Sequence, residues 1–321
     1  MAKNMYTNVA NITPLPDLQG EAEPKTAIFA SIVGENVTFD IEGVLRYPIN
    51  INSLTSHPLN ELARHVLGII GSYEFVTTKM IIDCLSVLGI QTDSKHVLTA
   101  TERLRKTGLI HAFRFENETE EKTANFIVYT LSKLGGENAL HSLGVSISQV
   151  DSYNVVMEPA LVKKKLATNQ ILFAHLKRNS VDSFEKSKRY TVADISTEEN
   201  ITVRPSLVIR FKDNSSLFYE VVRRSAFWET EFENKLLRYK MMQDNWSLPD
   251  DIPPLIICCE DEVHAREVSK MVSRIDLHAF FTHDLLFFGN SFDSHLFTIN
   301  HAGESVFFKI AFDEAEQEQA C

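Results

Sequence analysis

Cysteine and long apolar runs are scarce in this chain. Four cysteines occur in 321 residues, without the spacing of a zinc site or a disulfide framework, so we expect reduced intracellular thiols. No apolar run reaches the roughly 18–20 residues that a membrane helix needs. The polar segment Met1–Asn11 has no signal-peptide core. These absences predict a cytoplasmic protein without a membrane partner.

Motifs that mark common catalytic sites are also missing. The chain has no Gly-rich phosphate loop, nucleophile elbow or HExxH zinc motif. Its histidines form no metal set: His278 and His283 would point to opposite faces of a regular strand, and His295 and His301 flank a predicted turn. We therefore expect no resident cofactor.

Positive charge is in deficit. Lys and Arg number 32 against 43 Asp and Glu, which leaves a formal charge of −11. Phosphate contacts dominate nucleic-acid affinity, so such an acidic chain is a poor DNA partner overall and any contact must be local. The chain is 44% hydrophobic and 23% charged, as folded proteins are. Its length predicts two domains.

The first 57 residues are predicted to form an extended lead-in and a small β segment. Three prolines interrupt residues 1–25. The predicted strands of a small meander are Ala27–Val33, Val37–Ile41 and Val44–Ile51.

Residues 58–150 contain three helical patterns followed by two strand patterns. The predicted helices run over Leu59–Ile70, from Thr77 or Thr78 to Gly89, and from Thr92–Ser94 to Gly108, the third burying Val97, Ala100, Thr101 and Leu104. The predicted strands are Leu109–Phe115 and Ala124–Leu131. This order predicts a winged helix-turn-helix domain. The segment Leu104–Ile110 resembles the turn that ends the third helix in many bacterial winged-helix domains.

The third of these helices carries a basic stripe on its predicted solvent face. The stripe consists of Lys95, Thr99, Arg103 and Lys106, at the spacing that a helix in a major groove requires. Glu102 dilutes this charge, and the acidic turn between the strands, Glu116–Glu121, would be repelled by phosphate. We predict DNA contact through the stripe. The alternative is a scaffold whose charged face is solvated and which contacts proteins.

Residues 151–312 predict a second, α/β domain, followed by an acidic tail at 313–321. The predicted elements are a helix over 161–176 interrupted near Thr168 and Asn169, strands at Tyr190–Ile195, Ser206–Phe211 and Leu217–Val222, a helix at Phe227–Met242, a strand at Leu255–Cys259, a helix at Val263–Arg274, and a strand at Leu277–Thr282. Added β-hairpins are predicted at Leu285–Phe288, Leu296–Ile299 and Ser305–Phe312. The order is that of a restriction-endonuclease-like core, so the whole chain is predicted to be α+β with a mixed sheet.

Local sequence strengthens this interpretation. The strands Arg204–Arg210 and Leu217–Arg224 look like the paired strands of PD-(D/E)xK nucleases. These strands are followed by a helix that contains Phe232–Tyr239 and are preceded by the predicted winged helix-turn-helix. The combination resembles the replication-relaxation family of bacterial plasmids and integrative elements. The likeness covers about residues 58–285. It implies a DNA-handling protein of a mobile element.

The chain departs from the nuclease pattern at two of its three key positions. Ser206 stands where the motif has Asp, and Val222 where it has Lys, while Glu220 keeps the second carboxylate. Such nucleases need converging carboxylates to hold a divalent metal and a lysine to stabilise charge on the phosphate. We therefore predict no hydrolysis here, with Glu220 as a vestigial residue that accepts a hydrogen bond or ion pair. Asp194 is the alternative second acid.

A basic run precedes this core. Residues 158–190 hold the strongest positive segment of the chain, including Lys163, Lys164 and Lys165. These lysines are predicted to line a phosphate-facing groove, and a solvated charged face is the alternative.

Three functional hypotheses follow. The first is a non-catalytic accessory protein that binds duplex DNA through its winged helix, while its degenerate core holds DNA backbone or a protein partner of the replication or transposition machinery. The second is a metal-dependent endonuclease subunit using Mg²⁺, resembling transposase-associated nucleases. The third is a scaffold without DNA binding that forms a homodimer or recruits a basic partner.

Overall fold

A computed structural model describes most of the chain. The described residues are 12–14, 27, 29–32, 34–39, 59–117, 126–132, 158–178, 180–194, 199–248, 251–288, 296–300 and 303–310. Their fold is mixed α+β and includes a mixed sheet, as predicted.

The chain divides into two compact units. The N-terminal unit is Ser31–Phe173, and the C-terminal unit combines Met1–Ala30 with Ala174–Cys321. The division falls inside a helix, whereas the predicted boundary between residues 150 and 151 lies outside the described residues.

Fourteen strands occur in the described residues. They are β1 (Ile12–Pro14), β2 (Glu35–Phe39), β3 (Val76–Thr77), β4 (Ile110–Asn117), β5 (Val128–Leu131), β6 (Val181–Lys186), β7 (Tyr190–Ala193), β8 (Asn200–Val203), β9 (Leu207–Phe211), β10 (Ser216–Val221), β11 (Leu255–Cys259), β12 (Phe280–His283), β13 (Leu296–Ile299) and β14 (Ser305–Ile310).

Helices connect these strands. They are α1 (Glu61–Tyr73), α2 (Thr78–Val87), α3 (Ser94–Lys106), α4 (Pro159–Leu176), α5 (Trp228–Asp244), α6 (Glu262–Arg274) and α7 (Asp284–Phe288). Within the described ranges, none of them combines the length and apolar character that crossing a membrane requires.

The N-terminal unit is built on a four-stranded antiparallel sheet. Its strand order is β2-β4-β5-β3, and helices α1, α2 and α3 precede β4 in the chain. Each helix begins at a polar cap: Asn60, Thr77 and Asp93 accept hydrogen bonds from the first-turn N–H groups. Each helix contributes one apolar face to the core, whose buried residues include Val66 and Met80.

Helix α4 is continuous, so the predicted interruption near Thr168 and Asn169 is wrong. The Thr168 hydroxyl donates to the Lys164 carbonyl (2.8 Å) within the helix. The Asn169 amide donates to the carbonyls of Tyr73 (2.9 Å) and Phe75 (2.8 Å). Thr and Asn have low helix propensity, but these hydrogen bonds satisfy both polar side chains. The helix therefore continues across residues 168 and 169.

The C-terminal unit is built on an eight-stranded sheet with the order β1-β14-β13-β12-β11-β10-β9-β6. Strands β10, β11 and β12 run parallel, and the other neighbours pair antiparallel. The short sheet β7-β8 is not hydrogen-bonded to it. Helices α5 and α6 contribute apolar faces to a core that includes Phe232, Leu236 and Val268.

Several predicted elements differ from those observed. Residues 285–288, predicted as a strand, lie in α7. Residues 27 and 29–32 form no strand, and Val44–Ile51 lies outside the described residues. The predicted lead-in instead supplies one strand to each unit: β1 pairs with β14, and β2 pairs with β4.

Candidate nucleic-acid interface

Helix α3 forms as its sequence predicts. Asp93 caps its first turn by accepting from the His96 N–H (2.8 Å). Gly108, at φ +70°, ends it, and Leu109 N–H bonds back to the Leu104 carbonyl (3.0 Å). The predicted buried face is confirmed: it consists of Val97, Ala100, Thr101 and Leu104.

The four predicted DNA-contacting side chains lie along one groove beside α3. The groove measures about 1000 Å³. Its lining includes Lys95, Thr99, Arg103 and Lys106, all of them exposed. Ala112, Ile127 and Tyr129 also line it.

Charge in this groove is positive but partly compensated. Glu102 pairs with Arg105 (2.9 Å) and with Lys106 (3.3 Å), so two cations share one carboxylate. The Lys95 ammonium has no hydrogen bond or ion pair with the described residues. Thr99 donates its hydroxyl to the Lys95 carbonyl (2.9 Å), which leaves its oxygen as an acceptor. The predicted acidic turn falls largely outside the described residues.

One of the three lysines of the predicted basic groove, Lys163–Lys165, is inaccessible. Lys163 is fully buried, paired with the equally buried Glu35, and its ammonium lies 4.9 Å from the centre of the Phe115 ring. Lys165 pairs with Glu74, and Lys164 is half-buried. The prediction is wrong for Lys163 because a buried, paired ammonium is inaccessible to phosphate.

A second polar site surrounds Glu220 on β10. The carboxylate is fully buried, and both of its oxygens are engaged. Oε1 accepts from the Ser206 hydroxyl (3.0 Å), while Oε2 accepts from the Tyr239 hydroxyl (3.0 Å) and from Lys235 Nζ (2.6 Å). Ser206 in turn accepts from the Val221 N–H (3.1 Å). The predicted ion pair of Glu220 is therefore confirmed, and its partner is Lys235.

Lys235 reaches Glu220 from α5, not from the strand. Val222, at the position of the nuclease lysine, is buried in the apolar core. Lys235 was not predicted as the partner of Glu220, because the nuclease motif places its lysine on the same strand as the carboxylate, whereas Lys235 lies on α5. The available signal was the spacing of four between Lys235 and Tyr239, which places both on one side of α5.

This site does not suit a catalytic divalent metal. Mg²⁺ needs free carboxylate oxygens and keeps several waters, whereas the Glu220 oxygens already accept three hydrogen bonds in a buried setting. Asp194, the alternative second acid, directly follows β7, a strand of the two-stranded sheet. Across the described part of the chain, no group of three or more His, Cys, Asp and Glu side chains could hold a metal.

Two arginines that follow β10 are bound to acids. Arg223 is buried and donates to Asp284 (2.6 Å). Arg224 donates to Glu260 (3.1 Å) and to Glu267 (3.0 Å). The N–H donors of both guanidinium groups are therefore directed at protein carboxylates.

A basic cleft lies between the β7–β8 hairpin and α5. We use "basic cleft" for the cavity of about 670 Å³ that is lined by Arg189, Thr202, Val203, Arg204, Glu231, Asn234, Lys235 and Arg238. Four of these side chains are cationic and one is acidic. The α5 residues lie on one helix face, at spacings of three, one and three. The sequence did not predict this cleft, because its residues come from three separate segments.

His264 on α6 is buried in its neutral form. Its Nδ1 accepts from the Glu260 N–H (3.3 Å), and its ring meets Trp228 edge to face at 4.7 Å between centroids. Burial, reinforced by nearby Arg224 and Arg223, lowers the pKa of His264 to about 3.

Acid is expected to destabilise the C-terminal unit through His264. Its folded pKa lies below the ordinary value of 6.5, so its stabilising contribution is complete above pH 6.5 and is lost as pH falls towards 3. At pH 5 the loss is about 2 kcal/mol. Urea unfolding followed by tryptophan fluorescence measures it, and His264→Gln should flatten the pH dependence. His278→Gln, at an exposed histidine of the same unit, is the control; an equal effect there would contradict the assignment.

Comparisons with known proteins assign no family to this chain. No family model matches the chain, and no curated protein does. Protein VC1899 from Vibrio cholerae is 8% identical, with a TM-score of 0.27, over 82% of this chain and 58% of that one. The SdaI restriction endonuclease is 10% identical, with a TM-score of 0.23, over 73% of this chain and 89% of that one. The chain thus spans 58% of the Vibrio protein, and TM-scores this low assign neither fold nor function.

Proposed function

We propose that this chain is a non-catalytic DNA-binding accessory protein of a bacterial mobile element, acting in replication, relaxation or transposition. In this proposal, the exposed face of α3 contacts duplex DNA. The observation that carries it is the groove in which Lys95, Thr99, Arg103 and Lys106 come together. A helix with such a row of side chains suits the major groove, where it reaches both base edges and phosphates.

The proposal includes two fold assignments. The order α1, β3, α2, α3, β4, β5 supports a winged helix in the N-terminal unit. The antiparallel pair β9–β10, followed by parallel β11 and β12, supports a restriction-endonuclease-like core in the C-terminal unit. Membership of the replication-relaxation family is part of the same proposal.

The state of Glu220 supports a core without nuclease activity. A buried carboxylate that accepts from Ser206, Tyr239 and Lys235 has most of its acceptor positions occupied by protein groups, which leaves little room for metal ligation. The core is therefore proposed to bind without cutting.

Charge reversal on α3 tests the proposal. The variant Arg103→Glu/Lys106→Glu is expected to weaken duplex binding well over tenfold at low salt, because it removes two cations and adds repulsion. The slope of log affinity against log salt should fall by about two. Fluorescence polarisation with a labelled duplex measures both quantities.

The matched control reverses two exposed cations of α6, in Lys270→Glu/Arg274→Glu, which do not line the groove. It should bind duplex as the parent does. Loss of binding in both variants would mean that only net charge matters. A parent that binds no duplex would end the DNA proposal and favour the scaffold hypothesis.

A further inference from the structure

Three of the four cations that line the basic cleft have no described partner. Within the described residues, the guanidinium groups of Arg189, Arg204 and Arg238 form no hydrogen bond or ion pair. Three like charges around one concavity repel one another, and a low-dielectric wall focuses their field into the cleft. An anion placed there would relieve the repulsion.

The fourth cation is held in position by the buried carboxylate beneath it. Lys235 lines the cleft and its ammonium pairs with Glu220 (2.6 Å). Glu220 is itself fixed by Ser206 and Tyr239. The cleft wall therefore has a preorganised part, which lowers the entropy cost of ordering side chains around a ligand.

The chemistry of the lining suits a phosphate ligand. Guanidinium groups bind phosphate oxygens through paired N–H donors. Thr202 and Asn234 add neutral polar groups at the same surface. The volume of about 670 Å³ lies in the range of ligand pockets, which suits a nucleotide or a short stretch of one strand.

We propose that the basic cleft is a second nucleic-acid contact that binds phosphate esters, through Arg189, Arg204, Lys235 and Arg238. The choice of nucleic acid over other phosphates rests on the proposed function. The cleft itself is lined by residues other than those of the α3 groove, so its binding is separable from duplex contact by α3.

The experiment uses the full chain and the variant Arg204→Glu/Arg238→Glu. Both side chains are exposed and lack described partners, so the variant should fold, which circular dichroism checks. The control is again Lys270→Glu/Arg274→Glu, with the same change in net charge. The probes are a single-stranded oligonucleotide, a nucleoside triphosphate and polyglutamate.

The oligonucleotide should bind the parent and the control, and should bind the cleft variant about tenfold more weakly or worse. Binding of the oligonucleotide, with or without the triphosphate, supports the inference. Binding of the triphosphate alone overturns the nucleic-acid contact and identifies a nucleotide site instead. The inference fails if neither phosphate probe binds the parent, if the cleft variant binds like the control, or if polyglutamate binds equally tightly.

The two proposals fail separately. If the α3 variant keeps duplex affinity while the cleft variant loses the oligonucleotide, the α3 proposal fails and the cleft stands. If the α3 variant loses duplex affinity while the cleft variant is unchanged, only the cleft inference fails.

Discussion

Replacing Lys163 with methionine is expected to destabilise the protein by about 3–5 kcal/mol, because it leaves a buried carboxylate without its partner. Lys163 and Glu35 have side-chain exposures of 0% and 1%, so water cannot compensate for the loss. Methionine approximates the volume of the lysine stem, so the effect reports charge and not a cavity. Urea unfolding followed by far-ultraviolet circular dichroism measures the change.

Two further variants make this result specific. Lys163→Met/Glu35→Met removes both charges and should recover most of the lost stability, since a buried pair contributes little net stability over apolar replacements. Lys165→Met removes a lysine on the same helix, but one whose side chain is 31% exposed. It should cost about 1 kcal/mol or less. Normal stability of Lys163→Met together with weakened DNA binding would contradict a structural role.

Replacing Glu220 with alanine is expected to cost about 3 kcal/mol of stability, because it leaves two buried hydroxyl donors unsatisfied. Ser206 and Tyr239 lose their shared acceptor, and Lys235 loses its ion pair. The chain has two tryptophans, Trp228 and Trp246, and both pack against the core of the C-terminal unit. Tryptophan fluorescence during urea unfolding therefore reports this loss.

The same variant separates a structural role from a catalytic one. Glu220→Gln keeps the volume and one acceptor oxygen, so its loss of stability should be about half that of alanine. Supercoiled plasmid incubated with Mg²⁺ or Mn²⁺ should remain uncut by the parent. Metal-dependent nicking that disappears in Glu220→Ala, with little change in stability, would establish the nuclease hypothesis instead.

Elements governed by neighbouring residues were predictable. Strands β11 and β13 have the predicted bounds, because both are short apolar runs ended by polar residues or turns. Strand β6 was missed: its sequence, Val181–Lys186, is mostly polar, and it forms at the sheet edge by pairing with β9. Its stability comes from that pairing and not from its own pattern.

The candidate sites also differ in whether neighbouring residues in the sequence suffice to predict them. The α3 stripe was predictable because helical geometry places residues three and four apart on one face. The Lys235–Glu220 pair was not, because a helix supplies the cation that was expected from β10.

By itself, the sequence determined the caps, the ends and the buried face of α3, since these depend on residues within about four positions of one another. Only the tertiary structure decided which cations face solvent. Lys163, in the most basic run of the chain, is neutralised by Glu35, 128 positions away. Arg189, Arg204 and Arg238, unremarkable in the sequence, meet in one cleft. The physical reason is that burial and charge pairing depend on distance in space, which local sequence patterns do not encode.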